Sequence, residues 1–203
     1  MHFDTIVSYT TRPIRDYETD GKEHWFIDEK EAQRLLNSQS IVAYTEIGEY
    51  KYFVTKQHLE DESKNLYVID PKGIQYLLEN FPDLRDYVII YVNPDTAIRL
   101  NRAKSRSDYN EEKFNTREKA EDEQFLLFED ELIAEFKDKY NVDTYITANN
   151  SDINDTVQSL KDIIMETCVH NVMYLIVGRT CSGKDTLCKE IINTFNGKVE
   201  EDA

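Results

Sequence analysis

The chain is poor in cysteine, poor in basic charge and free of long apolar runs. Its 203 residues include three cysteines. Cys168, Cys181 and Cys188 are odd in number and lack metal-ligand spacing, so they argue against a disulfide framework or a zinc site. They fit a reducing, cytoplasmic setting as small buried side chains. Basic residues number 24 against 40 acidic ones, a formal charge of -16. Binding to a phosphate polymer needs a basic surface, so this balance argues against nucleic acid as a partner. One small anion held by a few well-placed cations stays compatible with it. No apolar run approaches the ~20 residues of a membrane-spanning helix. Nothing at Met1–Thr10 resembles a signal peptide.

Internal repeats and low-complexity linkers are also missing, so the chain reads as one domain with room for a smaller insertion. Short β-rich runs alternate with helical patterns, which predicts an α/β fold with a parallel sheet covered by helices. Core strands are expected at FDTIVSY (3–9), NLYVID (65–70), DYVIIYV (86–92), VDTYIT (142–147) and MYLIV (173–177). The third and the last are nearly all apolar, as strands buried on both faces are. Helices are expected at 28–38, 56–62, 71–80, 94–105, 110–138, 152–167 and 183–196, with Asp152 as a cap for its helix. Segment 41–54 reads as a β-hairpin in an inserted subdomain.

The sharpest motif lies late in the chain. Gly178-Arg179-Thr180-Cys181-Ser182-Gly183-Lys184 fits G-x-x-x-x-G-K, between a buried strand and a helical pattern. In such a loop successive backbone N–H groups turn inward around phosphate oxygens. The helix N-terminus adds partial positive charge. Lys184 is placed to reach the β- and γ-phosphates of ATP. Asp185, followed by Thr186, stands where a hydroxyl residue usually meets Mg²⁺, and its carboxylate is a suitable hard ligand.

A second cluster lies near the start. Arg12 and Arg15, three apart around Pro13 and beside hydroxyls, can clamp one phosphate with two guanidinium forks. Two solvated surface arginines are the plain alternative. The surrounding stretch VSYTTRPIRDYETDGKEHWF (7–26) resembles the nucleotide-binding segment of guanylate kinases. That resemblance implies Ser8 as a base contact, Arg12 and Arg15 as monophosphate clamps, and Glu18 as the holder of that pair or of the phosphate region. His24 and Tyr52 fall on phosphate-binding tyrosines, and Asp70 in NLYVIDPKG falls on a guanine-reading carboxylate. Arg102, Arg106 and Arg117 match the spacing of three lid arginines, although Arg99 and Lys104 nearby show that surface charge is common here.

The chain also departs from the family pattern. Ala43 stands where a guanine-reading Glu is expected, and Glu46 could replace it only with a shifted register. Val68 and Val54 replace an acid and a small hydroxyl residue. The resemblance therefore implies a nucleoside monophosphate kinase acting on ATP, Mg²⁺ and GMP or dGMP. Two alternatives remain: a deoxynucleoside monophosphate kinase with altered base choice, and an inactive guanylate-kinase-like binding module. The expected organisation is a core (1–11, 65–100, 126–203), a monophosphate-binding part (about 12–64) and a lid (about 101–125).

One feature of order is unusual for the resemblance. The strand–loop–helix unit of guanylate kinases precedes the VSxTTRP segment, and here it follows it. The chain reads as a circular permutant whose segment 173–203 belongs before 1–172. That reading predicts MYLIV at the centre of the sheet. It leaves monomer or homodimer open, with exchange of the terminal unit between copies as a further option.

Overall fold

The computed structural model describes residues 2–16, 18–38, 41–107, 109–128, 130–147, 152–167 and 171–197. Two four-stranded sheets organise them. The small one is built from β1 (Tyr9–Thr10), β2 (Trp25–Phe26), β3 (Ile41–Ile47) and β4 (Tyr50–Thr55), in the order β2-β1-β4-β3. The expected hairpin is β3–β4, antiparallel, with Gly48 at φ +64° in its turn. L side chains avoid that φ, and glycine takes it without strain.

The large sheet contains β5 (Leu66–Val68), β6 (Asp86–Val92), β7 (Asp143–Thr147) and β8 (Val172–Val177). Its order is β5-β8-β6-β7, and all three pairings are parallel. β8, the MYLIV strand, is therefore internal, as the reordered reading predicts. Every residue of β8 is buried, so both of its faces are covered. Met173, Leu175 and Val177 enter one core cluster with Ile74 and Leu77 of helix α3 (Pro71–Asn80). Tyr174 and Ile176 enter the other, with Leu160 and Ile164 of α7 (Ile153–Thr167) and Leu187 and Ile191 of α8 (Lys184–Asn196). Strand side chains alternate in direction, so one apolar run feeds two cores. The first cluster also contains Val42, Ala43 and Val54, and so joins the small sheet to the large one through α3.

The remaining helices are α1 (Glu29–Leu36), α2 (Lys56–Glu60), α4 (Thr96–Lys104), α5 (Glu111–Phe125) and α6 (Asp130–Tyr140). Asp152 accepts from the Asn154 N–H at 2.7 Å at the start of α7, as a cap should. Two expectations are corrected. Segment 3–9 is not a core strand. It meets β5 through one bridge, Thr5 to Leu66, then leaves to join β4 as Tyr9–Thr10. Its buried apolar residues, Phe3 and Ile6, are three apart, which does not fit the period of two that a strand packing one face requires.

The helix expected over 110–138 is two helices. A 3₁₀ turn at Leu126–Phe128 separates α5 from α6 and brings Phe125 and Phe128 onto Tyr91, with ring centroids at 5.6 and 4.8 Å. Packing of that aromatic trio overrides a helical propensity that would otherwise run on. Cys181 and Cys188 are buried free thiols, whereas Cys168 lies outside the described residues.

Arg85 was not singled out by any motif, yet it is 4% exposed. Its guanidinium donates to the carbonyls of Asn171 (2.9 Å) and Val172 (3.0 Å), just before and at the start of β8. It also donates to Leu59 (3.0 Å) and Lys64 (3.2 Å) around the end of α2. One buried cation thereby stitches β8 to the segment entering β5.

Candidate active site

The glycine-rich loop leaves the C-terminal end of β8 and enters α8. Gly178 is confined: a Cβ there would lie 2.4 Å from the Val92 carbonyl oxygen and 2.7 Å from Ser182 Oγ. Gly183 closes the loop at φ +93°, and Cys181 adopts φ +60°. Alternation of this kind turns backbone N–H groups toward a common concavity. Lys184 folds over the loop, with Nζ 2.7 Å from the Gly178 carbonyl oxygen and 3.2 Å from that of Arg179. Burial holds its pKa below the ordinary lysine value. Asp185 and Thr186 are exposed on the first turn of α8.

Glu18 organises the arginine pair near the start of the chain. Its carboxylate receives two bonds from Arg12, at 2.8 and 2.9 Å, in a fork-to-fork arrangement. It also accepts from the Arg15 N–H at 2.9 Å and lies 3.5 Å from Arg15 Nη1. The Arg12 and Glu18 side chains are only 10% and 5% exposed. Burial works against both charges, and the pairing outweighs it. Arg12 ends with a raised pKa and Glu18 with a lowered one. Arg15, at 39% side-chain exposure, keeps an open face.

His24 and Ser8 share a hydrogen bond of 2.9 Å, and the His24 ring stands edge-on to Tyr52 at 5.7 Å. Burial and then the charge of Arg12 lower the His24 pKa, so its imidazole is neutral near pH 7. Asp185 contributes to the field at His24, so the first turn of α8 lies within electrostatic range of the small sheet.

Asp70 caps α3 through Oδ1, which accepts from the Lys72 and Gly73 N–H groups at 3.0 and 3.1 Å. Burial raises its pKa, against hydrogen bonds that include one from Thr45. Ala43 and Val54 are cross-strand partners, 2% and 0% exposed. Glu46 pairs in register with Lys51 and bonds to the Tyr44 hydroxyl at an exposed position, so no register shift brings it to the site of Ala43. Val68 is half-buried.

The three arginines of the expected lid fall on different supports. Arg102, on α4, donates to the Ser182 carbonyl at 2.9 Å and so touches the loop directly. Arg106 is exposed in the turn after α4. Arg117, on α5, bonds to Glu121 at 3.2 Å. Arg99 is not the surface charge its neighbourhood suggested. It is 3% exposed, ion-paired with Glu118, and bonded to Thr96 Oγ1 at 3.0 Å. Arg179 pairs with Asp122 and lies 5.4 Å from the Phe125 ring centroid. A cleft of about 500 Å³, lined in part by Thr96, Arg99, Glu118 and Arg179, flanks the loop there.

Glu121 escaped the sequence reading. Its carboxylate accepts from the Thr180 N–H (2.9 Å), from Thr180 Oγ1 (2.6 Å) and from Arg117. The available signal was its i+4 spacing from Arg117, which is common on any charged helix.

The chain is similar to several known proteins. The guanylate kinase from Wigglesworthia glossinidia brevipalpis is 25% identical over 170 residues, covering 81% of this chain and 74% of its own. That from Caldanaerobacter subterraneus subsp. tengcongensis is 28% identical over 168 residues, covering 80% and 74%. A crystal structure of guanylate kinase from Anaplasma phagocytophilum aligns over 93% of this chain and 84% of that one, at 22% identity and a TM-score of 0.49. The guanylate kinase family profile matches residues 1–167. The chain belongs to the guanylate kinase family.

Proposed function

We propose that the chain is an ATP-dependent nucleoside monophosphate kinase that transfers the γ-phosphoryl group of ATP to GMP or dGMP. The observation that carries this reading is one chain that folds both a glycine-rich loop closed by Lys184 and a Glu18-bound arginine pair, with Asp185 of the loop's helix within electrostatic range of His24 beside that pair. Phosphoryl transfer needs positioning and charge neutralisation rather than covalent help, and both halves supply them.

In this reading the triphosphate lies in loop 178–186, where Lys184 exchanges its carbonyl partners for phosphate oxygens. Arg12, Arg15 and Tyr52 hold the acceptor's phosphate, with His24 donating a hydrogen bond beside Ser8. Glu18 keeps the arginine pair aimed and prevents the two cations from repelling each other apart. Arg102, Arg106 and Arg117 close over the transferring group. Closure excludes water and so suppresses hydrolysis of ATP.

Mg²⁺ accompanies ATP. Among the described residues no group of three or more His, Cys, Asp or Glu side chains forms a metal cage. A lone carboxylate beside phosphates is the donor set that Mg²⁺ ordinarily takes, since it keeps waters and binds substrate oxygens. Asp185 fits that role, with Thr186 next to it. The ion would neutralise charge on the β- and γ-phosphates.

The small sheet with α1 and α2 serves as the monophosphate-binding part, about 12–64, and segment 101–125 serves as the lid. The element order is that of a circular permutant. The internal position of β8 and a family match that ends at residue 167 both support it. Two buried free thiols favour a reducing, cytoplasmic setting.

A second reading concerns the base. Ala43 and Val54 are apolar and buried where the resemblance expects an acid and a small hydroxyl residue, and this favours a deoxynucleoside monophosphate kinase with altered base choice. A polar base edge left without partners loses discrimination. An ATP-consumption assay with GMP, dGMP and the other monophosphates tests both readings. Turnover led by the guanine substrates supports the first, and comparable rates on other bases support the second. No turnover on any of them defeats the kinase assignment in favour of a binding module.

A further inference from the structure

Glu121 stands out because its three partners are groups that the proposed reaction needs elsewhere. Thr180 is the third residue of the phosphate loop, and its N–H belongs to the backbone donors that face a bound triphosphate. Arg117 is a lid arginine. Both are bonded to one carboxylate on a residue only 8% exposed. Asp122, the next residue, pairs with Arg179 of the same loop, so α5 is tied to the loop at two successive positions. Glu121 and Arg117 also both contribute to the field at Lys184, with opposite signs. A nearly buried carboxylate must be paired, and this one is paired through the phosphate-binding apparatus itself.

We propose that Glu121 is a positioning residue that holds the donors a phosphate would take. It keeps Thr180 oriented and Arg117 beside the loop, and yields both when the triphosphate enters. A carboxylate and a phosphate cannot share one N–H donor, and their like charges repel at that distance. Nucleotide binding therefore includes displacement of Glu121, and the displaced contact frees Arg117 next to the γ-phosphate. Lid movement is thereby coupled to arrival of ATP through one side chain. This inference rests on the assignment of loop 178–186 to ATP.

Glu121→Gln tests it, since the amide keeps the shape and loses the charge. The KM for ATP is expected to fall about tenfold, the scale of one charge-assisted hydrogen bond that no longer competes. Its kcat is expected to stay within about twofold of the parent. Glu121→Ala is expected to lower the KM for ATP similarly, because it too removes the competing carboxylate. A merely structural role would shift the melting temperature of both variants without lowering KM. An unchanged or raised KM for ATP in a folded Glu121→Gln variant overturns the proposal.

A measurement on the unaltered chain covers the case of poor folding. The Arg117 Nε–H resonance is expected to shift when inorganic tripolyphosphate is added, and a resonance that stays in place overturns the proposal. Failure of the underlying assignment looks different: the unaltered chain would then consume no ATP at all.

Discussion

Asn196 at the end of α8 holds both backbone polar groups of Phe3. Its Oδ1 accepts from the Phe3 N–H at 2.8 Å, and its Nδ2 donates to the Phe3 carbonyl at 2.7 Å. The Phe3 and Phe195 rings pack alongside, with centroids 4.8 Å apart. Residues 193 positions apart in sequence thus form one local unit, bridging the last described helix and the first described segment. Asn196→Ala removes both bonds and is expected to destabilise the fold by about 1–3 kcal/mol, read as a shift in urea midpoint at constant slope.

The same proximity predicts the outcome of rearranging the chain. A version joined from Ala203 to Met1 and opened between Thr167 and Val172 is expected to fold and to keep its ATP-dependent activity. An opening placed ahead of Asn171 keeps the Arg85 bonds to Asn171 and Val172, and chain ends are tolerated where few contacts cross. Circular dichroism and turnover of the rearranged protein check this. An unfolded or inactive product would contradict the permutant reading.

Lys184→Ala is expected to abolish turnover with little loss of stability. The Nζ group donates within the loop, to the Gly178 and Arg179 carbonyls and at 3.5 Å to Ser182 Oγ, and solvent can replace it there. Arg117→Ala is expected to behave similarly. Activity retained by a folded Lys184→Ala protein would contradict the assignment of the loop.

Glu18→Ala is expected to weaken acceptor binding and to cost about 3 kcal/mol in stability. It leaves the Arg12 guanidinium, 10% exposed at the side chain, without its partner. The KM for the monophosphate should rise while that for ATP changes little. A change confined to ATP would contradict the assignment of Glu18 to the acceptor.

Stability is expected to decline below neutral pH through two histidines. Burial lowers the pKa of His24 and His58 in the fold from the ordinary value of 6.5. Below 6.5 the unfolded chain binds protons that the folded one does not, so acid favours unfolding until the folded-state values are reached. Melting curves between pH 7.5 and 5.5 should show this fall. Replacing both histidines with Asn should flatten the part of the slope that they cause.

Local patterns made much of the architecture legible before any coordinates. Strand β6 has the bounds of the run DYVIIYV, and α3 those of the helix expected at 71–80. The phosphate loop was readable because the constraint on it is local: a strand, two glycines and a lysine at set intervals. Glu18 was readable through resemblance, because it lies close in sequence to the arginines it holds. Arg85 and Glu121 were not, since their partners are 21–87 and 59 residues away apart from the common i+4 contact to Arg117. Arg99 was misjudged for the same reason, as Glu118 comes from another helix.

The sequence by itself determined most of the elements, the two-faced burial of β8 and the glycine turn between β8 and α8, because each rests on the periodicity or composition of a short stretch. Tertiary structure alone decided that segment 3–9 leaves the large sheet, that one long helix breaks at Leu126–Phe128, and that Glu121 sits on Thr180. Those outcomes come from competition among distant side chains for the same space and the same hydrogen-bond donors. No window along the chain contains both competitors.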